Sequence, residues 1–152
     1  MIIKPHEIEK LNLSKNKFFL FYGENQGHKD QIINSNFKKI FLKNTYMFEE
    51  TEILANIKSF FDQILSRSFF EKEKLIIINR ATDKIKTILE EIIDKDIEDL
   101  VIVLNSNSLE KKSKIRSLFE KNKNTYCVPF YEDNHQTLNS IISLFFRNKK
   151  IP

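Results

Sequence analysis

The chain has 152 residues, 41% of them hydrophobic and 30% charged, which suits one folded domain with a real core and excludes a disordered segment. Its net charge is +4, but 21 of the 25 basic residues are lysines, and asparagine and isoleucine are abundant. That bias suggests an AT-rich genome, so the basicity carries little weight as a sign of a nucleic-acid partner.

The N-terminus MIIKPHEIEK carries charge too early for a signal peptide, and no apolar run approaches membrane-spanning length, so a cytoplasmic protein with no membrane contact is expected. Pro5 is placed to open a short helix over HEIEKL. KFFLFY (17–22) reads as a buried strand, HKDQIINS as a helix and NFKKIFL (36–42) as a second, shorter strand. Over 50–65 the apolar residues Ile53, Leu54, Ile57, Phe60, Phe61, Ile64 and Leu65 repeat at helical spacing, which predicts one amphipathic helix. KLIIIN (74–79) and DLVIVLN (99–105) are continuous apolar runs of the kind covered on both faces. Between them, Ile85, Ile88, Leu89, Ile92 and Ile93 mark another helix. Asn107 and Glu110 form a candidate capping box for a helix through KKSKIRSLFEK. TYCVPF (125–130) is a last strand, whose Cys127 is the only cysteine and reads as a small buried hydrophobe in a reducing compartment. His6, His28 and His135 lack metal-ligand spacing, and no metal is expected.

Strands alternate with helices, and with two glycines in the chain hairpins are nearly excluded. The predicted fold class is α/β, a parallel sheet of about five strands with helices on both faces. The polar stretch YEDNHQ (131–136) is the candidate boundary between a domain over 1–131 and a segment 132–152. That segment holds one amphipathic helix with Leu138, Ile141, Ile142, Phe145 and Phe146, read as the start of a truncated further domain.

The stretch YGENQGHKD has the strand–glycine–helix order of a phosphate-binding loop. A working loop needs four residues between its glycines, followed by Lys and a hydroxyl residue. Here three residues separate Gly23 from Gly27, His28 displaces Lys29, and Asp30 stands where Ser or Thr belongs. The strand LIII ends in Asn79-Arg80 and supplies no acidic residue for Mg²⁺. The loop is therefore read as a degenerate one that binds no nucleotide cofactor, and no catalytic residue is assigned. An ATPase with an atypical site is the alternative. A second alternative is a basic nucleic-acid module using the lysines of EKKSKIRSLFEKNK, which equally suit the wet side of an amphipathic helix.

Phe69 and Phe70, adjacent at the end of the long predicted helix, cannot both continue its buried stripe, because neighbouring helical residues diverge by about 100°. They are either a folded-in plug or an exposed anchor for a partner's pocket.

Four segments in order carry a resemblance: YGEN after the first strand, SRSFF just before LIIINRATDK, then LVIVLNSNSLEKKSKIRSLFEK, and the run from Cys127 to Asn134. Together, over nearly the whole chain, they resemble the N-terminal domain of the delta subunit of the bacterial DNA polymerase III clamp loader. The resemblance implies an AAA+ (P-loop NTPase-like) core that does not use ATP, followed by a lid domain whose first helix would fall in 132–152. It implies a Ser-Leu-Phe element that enters the pocket of the sliding clamp (the beta subunit) and opens the ring. Ser68, Phe69 and Phe70 match that element, with Phe69 in place of leucine. The implied partners are the clamp, the gamma/tau ATPase subunits and delta-prime, with DNA met only indirectly. The implied role is a non-catalytic holoenzyme subunit, filed with DNA-directed DNA polymerase, a nucleotidyltransferase.

Overall fold

Burial on both faces organises the molecule. The computed structural model describes residues 1–13, 15, 17–66 and 73–131. Its strands are β1 (Phe18–Tyr22), β2 (Thr45–Glu49), β3 (Lys74–Asn79), β4 (Leu100–Asn105) and β5 (Thr125–Pro129). They form one five-stranded sheet in the order β2-β3-β4-β1-β5, and every pairing is parallel. Side chains alternate across a strand, so in β3 Ile76 and Ile78 enter one core while Leu75 and Ile77 enter the other. The α/β fold with helices on both faces is thus as expected from the apolar runs.

A 3₁₀ helix, Pro5–Lys10, opens the chain with Pro5 at its first position. Helix α1 (Gln26–Ile32) begins at Asn25, whose side chain accepts from the His28 amide at 3.1 Å. It continues through a π-helical stretch, Ile33–Lys38, into the single turn α2 (Lys39–Phe41). Residues 36–42 are therefore helical and not the predicted strand. Ile33, Phe37 and Phe41 are buried, and a spacing of four is the helical period. Phe37 meets Phe19 edge-on at 5.0 Å and Phe21 at 5.8 Å. The missing strand is TYMFE, immediately downstream, at the sheet's edge.

The predicted helix over 50–65 is two helices, α3 (Glu50–Ala55) and α4 (Ile57–Leu65). Asn56 separates them at φ −150°, and its side chain caps α4 by accepting from the Ser59 amide at 3.1 Å. The buried stripe is correspondingly narrow: Ile53, Phe60 and Ile64 are buried, whereas Ile57 and Leu65 are exposed. Helix α5 (Lys86–Lys95) packs Ile88, Leu89 and Ile92 inward.

Helix α6 (Lys114–Lys121) starts seven residues beyond the candidate box at Asn107. Its N-cap is Ser113, buried, with the hydroxyl accepting from the Arg116 amide at 3.4 Å. The cap is shared with a distant loop, since Asp83 accepts from the Ser113 hydroxyl at 2.8 Å and from the Ile115 amide at 3.1 Å. The predicted helix in 132–152 lies outside the described residues.

Partial desolvation raises the Asp83 carboxyl's affinity for its proton, but hydrogen bonds from the Ile115 and Lys114 amides and Ser113 outweigh it and hold the pKa below the usual aspartate value. A carboxylate depressed in the folded state adds stability above its unfolded pKa and loses it as pH falls through the folded one. Asp83→Ala is expected to cost about 1 kcal/mol at neutral pH, as a lost cap does. The gap to the parent protein should shrink below about pH 4, where aspartate protonates in the unfolded chain. Chemical denaturation at pH 7 and pH 3 checks it; an equal gap at both would refute the cap.

Candidate functional site

In an open parallel sheet, ligands bind beyond the carboxyl ends of the strands, where neighbouring connections leave in opposite directions. Here β1 connects toward β2 at one edge, while β4 connects across β1 to β5 at the other. The switch point lies between β1 and β4, and the chain following β1 is the glycine turn singled out in the sequence.

That turn is fastened to the sheet on several sides. The Gly23 amide donates to the Asn107 carbonyl at 3.2 Å, and the Asn25 amide to the Phe130 carbonyl at 3.4 Å. The Asn25 side-chain amide donates to the Tyr131 carbonyl at 3.1 Å, and the Phe130 amide to the Tyr22 carbonyl at 2.7 Å. Gly23 has φ +120°, and a Cβ there would stand 2.0 Å from the Phe130 carbonyl oxygen. Only glycine fits. Gly27 is different: it sits in α1, and a Cβ would meet nothing nearer than Asn25 Oδ1 at 3.9 Å. One glycine of the pair serves close backbone approach, and the other is unconstrained.

Lys29 turns inward, 1% exposed, and its Nζ donates to the Ser106 carbonyl at 2.7 Å. Ser106 is itself buried just past β4. Its amide donates to Phe21 and its hydroxyl to the Ala81 carbonyl, both at 2.8 Å. One lysine therefore reaches, through Ser106, the turn after β3. Desolvation pulls the Lys29 pKa below the usual lysine value, with neighbouring Asp30 opposing. Asp30 is exposed and accepts from the Gln26 side chain at 2.7 Å, while the His28 ring lies edge-on to Phe130 at 5.0 Å.

Asn79 and Arg80, where an acidic metal ligand would be sought, are structural. Asn79 Oδ1 accepts from Asn105 at 3.2 Å, and Arg80 pairs with Glu49 at 3.3 Å. Buried Glu50 accepts from the Thr82 amide at 2.8 Å and, through its other oxygen, from the Thr82 hydroxyl at 2.8 Å. Among the described residues no cluster of three or more His, Cys, Asp or Glu side chains could hold a metal ion, and no helix is long and apolar enough to cross a membrane. Burial pushes the Cys127 thiol up to about 12 and the Tyr22 phenol up to about 12, so both stay protonated at neutral pH.

Helix α6 buries Ile115 and Phe119 and exposes Lys114 and Lys121. Its arginine faces the protein: Arg116 lies over the Tyr22 ring at 4.9 Å, donates to Glu120 at 2.7 Å and to the Leu109 carbonyl at 2.9 Å. The structure thus ties Gly23 and Lys29 to the adjacent carbonyls of Asn107 and Ser106 and gives Gly27 no close contact. Ser68, Phe69 and Phe70 lie outside the described residues, between the end of α4 and the start of β3. Sequence reasoning missed Ser106, which meets Lys29 through its backbone carbonyl, and Asp83, which caps a helix 30 residues away.

The model of a family described as DNA polymerase III, delta subunit, matches residues 19–149. Among solved structures, the chain is similar to the Bacillus subtilis DNA clamp loader delta protein, with a TM-score of 0.65 at 14% identity. That match covers 95% of this chain and 46% of the other, so the chain spans under half the length of that protein. No sequence among the curated proteins matches.

The two glycines should behave oppositely. Gly23→Ala meets both a positive φ and a backbone oxygen, and is expected to cost about 2–4 kcal/mol, a melting-point drop on the order of 10 °C. Gly27→Ala should be neutral or raise stability by up to about 1 kcal/mol, since alanine is the better helix former. Calorimetric melting of the two variants checks this; equal sensitivity would be incompatible with the geometry.

Proposed function

Because the chain belongs to the DNA polymerase III delta-subunit family, we propose that it is the clamp-engaging part of a bacterial clamp loader, acting in the cytoplasm by binding and not by catalysis. It binds the ring-shaped sliding clamp and helps open it for loading onto DNA, as a holoenzyme subunit filed with DNA-directed DNA polymerase. Residues 1–131 form an AAA+-like core with a degenerate phosphate loop, and 132–152 begin a lid. Gamma/tau and delta-prime subunits are its further partners, and DNA is met indirectly.

The observation that carries the non-catalytic part is the buried Lys29. A phosphate-loop lysine must point its ammonium at the ligand, whereas this one is 1% exposed and bonded to Ser106 at the switch point. A nucleotide phosphate would have to break that bond and would find the Gly23 amide already donating to the Asn107 carbonyl. Calorimetry with ATP and Mg²⁺ is expected to show no saturable heat. Micromolar affinity would restore the ATPase reading.

Clamp binding is assigned to Ser68, Phe69 and Phe70, supported by their match to the family's clamp-binding element and by their place in the sequence after α4. Replacing such anchors with alanine commonly costs about 2 kcal/mol or more of binding, roughly thirtyfold in affinity. A core phenylalanine cut to alanine would instead remove about 3–5 kcal/mol of folding stability. Phe69→Ala/Phe70→Ala should therefore abolish clamp binding while leaving the melting temperature nearly unchanged. A sharp fall in melting temperature, or undiminished clamp binding, would make the pair a hydrophobic plug.

A further inference from the structure

The two edges of the sheet are finished differently. Beside β5, the N-terminal segment adds a parallel bridge between Ile2 and Cys127: the Ile3 amide donates to Cys127 at 3.0 Å, and the Cys127 amide to Met1 at 2.8 Å. At the other edge, β2 ends the sheet, and among the described residues no strand lies outside it. An open edge is a template for another strand, and proteins that must stay unpaired there usually place lysine or proline within it. TYMFE contains neither.

The segment that leads into this edge strand is apolar and basic. Ile40 is 60%, Leu42 74% and Met47 55% exposed. Met47 pairs with Ile77, whose side chain belongs to the core layer of Phe37 and Phe41, so Met47 lies on the face where the chain from α2 leads into β2. Leu42 is held at φ 41°, ψ −105°, a left-handed conformation that glycine would adopt without strain. The backbone is strained where a large apolar side chain is presented to solvent, a combination found at binding surfaces. Lys38, Lys39 and Lys43 fall in this stretch, and between Asp30 and Glu49 there is no acidic residue. Glu49 is engaged by Arg80, and Asp62 borders a hollow with Tyr46 and Phe48, on the opposite face of β2.

We infer that the outer edge of β2, with Ile40, Leu42 and Met47, docks an extended acidic segment of a partner protein as an added strand. Main-chain pairing would give such a segment its hold and the flanking side chains its selectivity. The charge pattern decides between occupants. A second copy would bring its own lysines against these, and like charges placed opposite each other are unfavourable. A nucleic-acid backbone would satisfy the lysines but has no use for exposed leucine, isoleucine and methionine beside an edge strand. This surface is distinct from residues 68–70 and does not depend on their role.

The test titrates the chain with short fluorescent peptides that alternate valine with glutamate or valine with lysine, and maps amide exchange. The glutamate peptide should bind at least about tenfold more tightly than the lysine peptide and protect amides of 45–49, as strand addition requires. Met47→Glu should weaken it about tenfold, by removing an apolar contact and setting like charge against the acidic segment, with no change in melting temperature. Leu42→Gly should weaken it while holding or raising the melting temperature, which separates display of the side chain from any role in the fold. No saturable binding of the glutamate peptide, equal binding of the two peptides, or protection confined to other strands would overturn the inference. So would a dimer that itself protects 45–49, or duplex DNA binding that is steeply salt-dependent and strengthened by Met47→Lys.

Discussion

A parallel sheet cannot leave a face in water, because its strands are joined by crossovers that themselves cover both sides. In this chain the requirement dictates the residues of β1, β3 and β4, whose centres are phenylalanine, leucine, isoleucine and valine with almost no exposure. It also dictates the helices, which need only one apolar side each and supply two core layers, one against each face. The carboxyl ends of the strands are the one place where such a sheet ordinarily stays open. At those ends in this sheet the Lys29 ammonium donates to the Ser106 carbonyl, and Gly23 lies against the Phe130 carbonyl.

How much of this was legible in the sequence depended on whether the signal was local. The runs at 74–79 and 99–105 could hardly be anything but buried strands, and Gly23 after an apolar strand was visible as a turn that mattered. The segment 36–42 misled because its apolar residues at 37, 40, 41 and 42 form too short a cluster to display a period. Only the buried set Ile33, Phe37 and Phe41 reveals it as helical. The Asn56 break was overlooked because the apolar stripe runs through it, although asparagine is itself a favoured N-cap residue. The box at Asn107 was overridden by tertiary structure: the Asn107 carbonyl is used by Gly23, and α6 waits for Ser113, which Asp83 holds in place.

The glycine motif shows the same limit at the site. Sequence spacing said that the loop departs from a phosphate-binding pattern, but not what the departing residues do instead. Lys29 might have been a displaced ligand contact pointing at solvent, and its residue type is the same in either case. Its burial depends on Ser106, 77 positions later. Such a partner cannot be read from a local pattern, because a backbone carbonyl has no sequence signature.

The strand order has a consequence for how the protein comes into being on the ribosome. Of the five strands β1 leaves the exit tunnel first, yet it lies between β4 and β5, the fourth and fifth to be made. Until residue 100 has emerged it has neither neighbour, and its second neighbour, β5, arrives only with Thr125–Pro129. Loops this long must close before any of those contacts can reward the closure, which slows folding and leaves apolar strands waiting. The nascent FFLFY segment is therefore a client for whatever shields apolar chain during translation. The sheet closes around β1 only after Thr125–Pro129 and the Phe130 backbone that meets Gly23 and Tyr22 have been made.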